Sequence, residues 1–235
     1  MMRQKIISHR GLSGHEPENS LKAFSATVGR GIKAIEFDVH RTSDGVIVVN
    51  HDFDIAELSI ADNDFVKLKS KKSNLCALAE ILESIPPKCL LDVEIKAFGI
   101  EDDVLRELSK ARNPRDYIIS SFDDRTIARV KAIDQTVQAG LLLGKYKPTR
   151  PVRTRLSELF PTSRLRACNA DFVAPYWKLM KFAFIRRMAR KGYPVFVWTV
   201  NNDKLMESLV RNDGIAGLIT DRPIDAMRIM NKLNK

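Results

Sequence analysis

Short apolar runs and amphipathic stretches alternate along the whole of this 235-residue chain. The runs fall at 5–8, 34–39, 90–95, 117–121, 139–143, 172–174, 195–200 and 217–220. Each has the length of a strand, and most are rich in Ile, Val or Leu, as strands buried on both faces are. Helical patterns occupy 20–29, 102–111, 123–133, 178–191 and 203–211, the first of them behind Asn19 as an N-cap. Alternation sustained over the full length predicts a parallel α/β fold. About eight repeats predict a (β/α)8 TIM-type barrel, with residues 1–235 as a single domain.

The run at 46–50 breaks the count. It follows the second strand after only a short polar connection, whereas a parallel crossover needs about a dozen residues. It must therefore return antiparallel, as a β-hairpin arm after the second strand. Asp44-Gly45 suits a two-residue turn, since both central positions of a type I′ turn need positive φ. Counting outward from Ser43 and Val46 then pairs Asp38 with His51 across the hairpin. Glu36 and Asp38 alternate onto one face of their strand. Two hard oxygen donors and a titratable imidazole thus meet, a pattern suited to metal-assisted acid/base chemistry.

Other segments join this candidate site. His9-Arg10-Gly11 ends the first strand, offering a proton-exchanging imidazole and a fixed guanidinium suited to phosphate oxygens; a plain surface pair is the alternative. In Pro17-Glu18-Asn19-Ser20, Glu18 is expected to orient Arg10. Two carboxylates on one side of an apolar strand need a cation or strong partners. Asp92, Glu94 and Lys96 repeat the spacing: Glu94 completes a three-carboxylate metal site, or else forms an internal salt bridge with Lys96. Trp198 sits in a buried strand as core or pocket wall, and Asp221 reads equally as the cap of the last helix. His15, in a loop, is set aside, as is His40, assigned to the opposite strand face from Glu36 and Asp38.

The composition narrows the partners. The net charge of +10 favours anions such as phosphate esters, a lipid surface or nucleic acid, and it says nothing about fold. Positive charge is dense at 67–72, 145–155 and 186–191, which read as solvated surface, with weak association with an anionic membrane surface as the minor alternative. Aromatic interleaving is poor and no nucleic-acid module is present, so no nucleic acid is expected. Three scattered cysteines read as reduced thiols, and the chain shows neither a signal-peptide core nor an apolar run of ~20 residues. A cytoplasmic protein is expected.

Taken in order, His9-Arg10-Gly11, Pro17-Glu18-Asn19-Ser20, Ile35-Glu36-Phe37-Asp38-Val39, Thr42-Ser43-Asp44-Gly45, Val49-Asn50-His51-Asp52, Asp92-Val93-Glu94-Ile95-Lys96, Val197-Trp198-Thr199-Val200-Asn201 and Thr220-Asp221-Arg222-Pro223 closely resemble the glycerophosphodiester phosphodiesterase family. The resemblance implies a TIM-type barrel that uses a divalent cation, Mg²⁺ or Ca²⁺, to cleave a small-molecule glycerophosphodiester into glycerol 3-phosphate and an alcohol. It implies Glu36, Asp38 and Glu94 as metal ligands and His9 and His51 as the acid/base pair. Arg10 and Lys96 would hold the phosphate, and Trp198 would line the glycerol side. After His51-Asp52 the segment to Leu75 is shorter and more basic than in many relatives, which puts the leaving-group pocket in question. A lysophospholipase D-like enzyme acting on membrane headgroups, and a non-catalytic basic barrel binding phosphoinositide or nucleic acid, are the competing readings.

Overall fold

The computed structural model describes residues 5–144 and 149–233. The lysines at 145 and 147, part of the second basic cluster, lie outside the described residues, as do residues 1–4. The strands are Lys5–His9 (β1), Ala34–Arg41 (β2), Ile47–Val49 (β3), Asp54–Ile55 (β4), Leu58–Ser59 (β5), Cys76–Ala77 (β6), Leu90–Ile95 (β7), Tyr117–Ser121 (β8), Gln138–Leu143 (β9), Phe172–Pro175 (β10), Val195–Val197 (β11) and Ile215–Thr220 (β12). Eight of them pair in parallel in the order β1-β2-β7-β8-β9-β10-β11-β12, and β12 returns to β1 to close the barrel. These eight are the apolar runs of the sequence. The helices are Leu21–Gly29 (α1), Phe65–Lys71 (α2), Leu78–Ser84 (α3), Glu101–Ser109 (α4), Asp124–Ile133 (α5), Pro151–Leu159 (α6), Thr162–Ala167 (α7), Phe184–Arg190 (α8), Asp203–Val210 (α9) and Pro223–Leu233 (α10). Among the described residues, no helix is long and apolar enough to cross a membrane.

The barrel interior is built in layers. Ile7, Ala34, Leu90, Ile118, Leu142, Phe172, Phe196 and Ile219 pack together inside it. Two glycines make room for the two phenylalanines. A Cβ on Gly140 would lie 2.1 Å from the Phe172 ring, and one on Gly217 would lie 2.3 Å from the Phe196 ring. The tilted Phe172–Phe196 pair, centroids 4.9 Å apart, thereby plugs the channel. Polar side chains begin above this plug, because strand alternation carries Ala34 to Glu36 and Asp38, and Leu90 to Asp92 and Glu94.

The arm returns antiparallel on β2, but its register corrects the expected one. Val39 faces Val49 and Arg41 faces Ile47, so three residues bridge the strands instead of two. Gly45 alone takes positive φ, at +86°, and its N–H closes a turn onto Thr42 O. The Asp44 carboxylate explains the choice: it accepts the Thr42 hydroxyl at 2.5 Å and the Phe65 N–H at 3.1 Å. Asp38 is consequently opposite Asn50, whose N–H donates to Asp38 O, and His51 lies beyond the paired segment. The arm has its own small core of Val48, Ile55, Ile60, Leu68 and Leu75, and β6 pairs on the outer side of β3. Lysines of the first basic run are tied into it: Lys69 Nζ donates to Leu75 O and Lys72 Nζ to Asn50 Oδ1.

Two helix expectations also change. Ser20 caps α1, taking the Ala23 N–H on its hydroxyl, and Asn19 is freed for other work. The helix expected over 178–191 is interrupted. Tyr176 N–H donates to Leu143 O and Trp177 N–H to Trp198 O, drawing the chain onto the barrel top. Only a short 3-10 turn, Trp177–Leu179, precedes α8, and Phe182 and Ala183 both adopt left-handed backbone.

Candidate active site

The carboxyl ends of the barrel strands surround a cavity of about 800 Å³. His9, Arg10, Glu36, His51, Glu94, Lys96 and Trp198 line it, and Asp38 lies buried just behind. Residues from β1, β2, the arm, β7 and the end of β11 thus meet in one place. Ser120, Phe122, Arg125 and Arg164 complete the far wall.

Glu36, Asp38 and Glu94 offer carboxylate oxygens within 4.8 Å of one another. Parallel pairing aligns them, because Glu36 faces Asp92 and Asp38 faces Glu94 in register. Several partners hold them in place. Arg10 takes left-handed backbone, φ +55°, which turns its N–H onto Glu36 Oε2 at 3.0 Å. Its guanidinium lies 3.3 Å from Asp38 and meets both oxygens of Glu18 at 3.1 Å. Lys96 Nζ sits between Asp38 Oδ1 at 2.8 Å and Glu94 Oε1 at 2.9 Å. The internal Glu94–Lys96 salt bridge and the carboxylate triad are therefore both present.

Charge balance marks this cluster. Four buried carboxyls, Glu36, Asp38, Asp92 and Glu94, face the two cations Arg10 and Lys96. Burial, then repulsion from Asp38, Glu94 and Asp92, holds the Glu36 carboxyl well above its usual range. Burial likewise raises Glu94, against the pull of Lys96, and pushes Asp92 up to about 7. Burial opposes ionisation of Asp38 too, but Lys96 and Arg10 outweigh it and hold that carboxyl at about 2. An all-oxygen donor set with surplus negative charge fits one hard divalent cation.

The two imidazoles are anchored differently. His9 Nδ1 lies 2.6 Å from Asp221 Oδ1, and its Nε2 faces Glu36 Oε2 at 3.9 Å. Burial raises the Asp221 carboxyl, but hydrogen bonding and attraction from His9, then Asn201, outweigh it and hold it below its usual range. A carboxylate only accepts, so Nδ1 carries the hydrogen and Nε2 is turned to the cavity. His51 Nδ1 meets Asp52 Oδ1 at 2.8 Å. Burial and then Lys96 hold the His51 imidazole below its ordinary range.

Two contacts of this cluster were not expected from the sequence. Asn19, itself at φ +53° and fully buried, donates to Asp38 Oδ2 at 2.9 Å. Asp221 faces His9 instead of capping a helix. His40 requires a correction of a different kind. Residues 36, 38 and 40 share parity, so it lies on the face of Glu36 and Asp38, not the opposite one. It does not line the cavity; its ring is buried edge-on against Phe53. Trp198 proves to be wall and support together: its Nε1 donates to Ala174 O, and its ring packs edge-on against Phe122.

Comparison with known proteins follows the same lines. The model of the glycerophosphoryl diester phosphodiesterase family matches residues 9–74 and 60–225. A glycerophosphodiester phosphodiesterase of Caldanaerobacter subterraneus is 26% identical over 253 residues, covering 98% of this chain and 99% of its own. Among solved structures, a glycerophosphodiester phosphodiesterase from Thermotoga maritima superposes with a TM-score of 0.77 at 23% identity, over 98% of this chain and 97% of its own. A phosphodiesterase from Oleispira antarctica, solved with the product sn-glycerol-3-phosphate, gives 0.80 at 22% identity, over 97% and 96%.

Proposed function

Since the chain belongs to the glycerophosphoryl diester phosphodiesterase family, we propose that it hydrolyses glycerophosphodiesters to glycerol 3-phosphate and an alcohol, using one divalent cation and two histidines. The observation carrying this reading is the triad of carboxylate oxygens within 4.8 Å, sharing a cavity with two imidazoles and two fixed cations. The sn-glycerol-3-phosphate bound by the Oleispira protein supports the same substrate class.

Glu36, Asp38 and Glu94 are the residues to hold the cation, and their oxygen donors suit Mg²⁺ or Ca²⁺. When bound, such an ion supplies Lewis-acid polarisation of a phosphate oxygen. The chain's own groups do the rest. Arg10 and Lys96, already fixed by ion pairs, stabilise charge as it grows on the phosphate. His51, neutral because burial and Lys96 disfavour its charged form, accepts a proton from the attacking hydroxyl. His9, oriented through Asp221, delivers one to the leaving alcohol from Nε2. Trp198 closes the glycerol side.

The test is turnover of glycerophosphodiesters by wild type and by His9→Ala, His51→Ala and Glu36→Ala, with and without chelator. Each histidine variant should lose roughly 10²–10⁴-fold in kcat. Chelated wild type should be silent and recover with Mg²⁺ or Ca²⁺. Wild-type turnover in all three variants, or full rate in chelator, rejects the mechanism.

A further inference from the structure

The cavity mouth is flanked by a surface that catalysis does not use. Helix α6 is held at this end of the barrel: Gly144, a lining residue, donates its N–H to Glu158 at 2.8 Å. Val152, Leu156 and Phe160 follow one another at four-residue spacing and form one stripe along the helix and its end. They are 74%, 56% and 53% exposed. Phe182, 67% exposed, extends the stripe by stacking on Phe160 with ring centroids 6.4 Å apart. The arrangement is braced from below, where the Arg187 guanidinium lies 4.5 Å from the Phe160 ring centre. Isolated exposed apolar side chains are ordinary, whereas a contiguous ridge marks an interaction site.

Charge identifies the occupant. Across 149–160 and 176–191 the only carboxylate is Glu158, and it is buried. Arg150, Arg153, Lys178, Lys181, Arg186 and Arg190 are exposed along the same two stretches. We propose that this cation-flanked apolar ridge seats the cavity mouth on an anionic lipid bilayer, the ridge entering the headgroup boundary while the cations meet lipid phosphate. A second copy of the chain fits poorly, because a two-fold contact through this face would bring like charges together. The binding stands on the surface alone; its purpose, placing lipid-derived diesters at the cavity, rests on the function proposed above.

The experiment is cosedimentation of the full chain with vesicles of phosphatidylglycerol and phosphatidylcholine in equal parts, or of phosphatidylcholine alone, at low and high salt. Wild type should pellet with the anionic vesicles and be released by salt. Leu156→Asp with Phe182→Asp, and separately Arg150→Glu with Lys181→Glu, should weaken binding roughly tenfold or more. Leu156→Ser with Phe182→Ser guards against misfolding and should also bind less. All these variants should hydrolyse soluble glycerophosphodiester like wild type. No sedimentation, equal binding to neutral vesicles, or indifference to the substitutions overturns the proposal. So does light scattering that reveals a dimer dissolved by Phe182→Asp. Vesicle binding without soluble hydrolysis would leave this surface standing and reject the catalytic reading instead.

Discussion

Replacing Asp92 with Asn isolates the electrostatic cost of the barrel's polar layer. The Asp92 side chain is 2% exposed and accepts one hydrogen bond, from Ser120 Oγ at 2.9 Å. Burial, with Asp38 nearby, pushes its carboxyl from 3.8 up to about 7. Between those values the folded chain holds a proton that the unfolded chain has released, so stability falls as pH rises and levels off above about 7. The gap is about three pH units, which at about 1.36 kcal/mol each amounts to roughly 4 kcal/mol. Asp92→Asn titrates nothing here and keeps an oxygen for Ser120. In chelator its stability should match wild type near about pH 4, then exceed it by an amount that grows to at most roughly 4 kcal/mol above about pH 7. Urea unfolding across that range reads the difference directly. Adding Mg²⁺ should shrink it, since a nearby cation favours the ionised carboxyl. An advantage that is constant across the range, or one that grows toward acid, refutes the reasoning.

Other outcomes follow from the same geometry. Asp221→Asn should lower kcat roughly 10²-fold with KM little changed, and ¹⁵N shifts of the His9 ring should report a weakened hydrogen bond at Nδ1; an unchanged ring spectrum would reduce Asp221 to a structural part. Gly140→Ala should cost about 3 kcal/mol by overpacking against Phe172, with partial rescue by Phe172→Leu, whereas an unshifted melting temperature would contradict the plug described for the barrel. Lys96→Ala should weaken substrate binding and also change the pH dependence of cation affinity, because Asp38 and Glu94 lose their shared ammonium; titration calorimetry at two pH values reads this, and identical affinities would count against it.

The barrel was legible because strands buried on both faces read as short apolar runs, as 139–143 and 195–200 do. Glu36, Asp38 and Glu94 were legible for the converse reason, as charges placed where an apolar strand has no use for them. What local pattern could not reveal depends on distant partners. His9 and Asp221 are 212 residues apart, and Asn19 meets Asp38 only once α1 has packed on the barrel. Asp-Gly serves a two-residue or a three-residue turn equally well, and the Asp44 carboxylate decides between them through Phe65, 21 residues downstream. Helix α6 escaped notice because Val152 and Leu156 point outward and a single leucine, Leu159, packs on the core, which leaves no conventional amphipathic signature.

The arm that carries His51 has a small hydrophobic nucleus on one face of β3, whose other face, Ile47 and Val49, packs into the main core. Opening of the outer layer, from Ile55 to Leu75, is therefore a smaller event than unfolding of the molecule. On the mechanism proposed above, a mutation loosening Leu68 or Leu75 would leave cation capture and phosphate grip intact while stalling the proton relay. Such a variant would still hold its ester, and would release it unchanged.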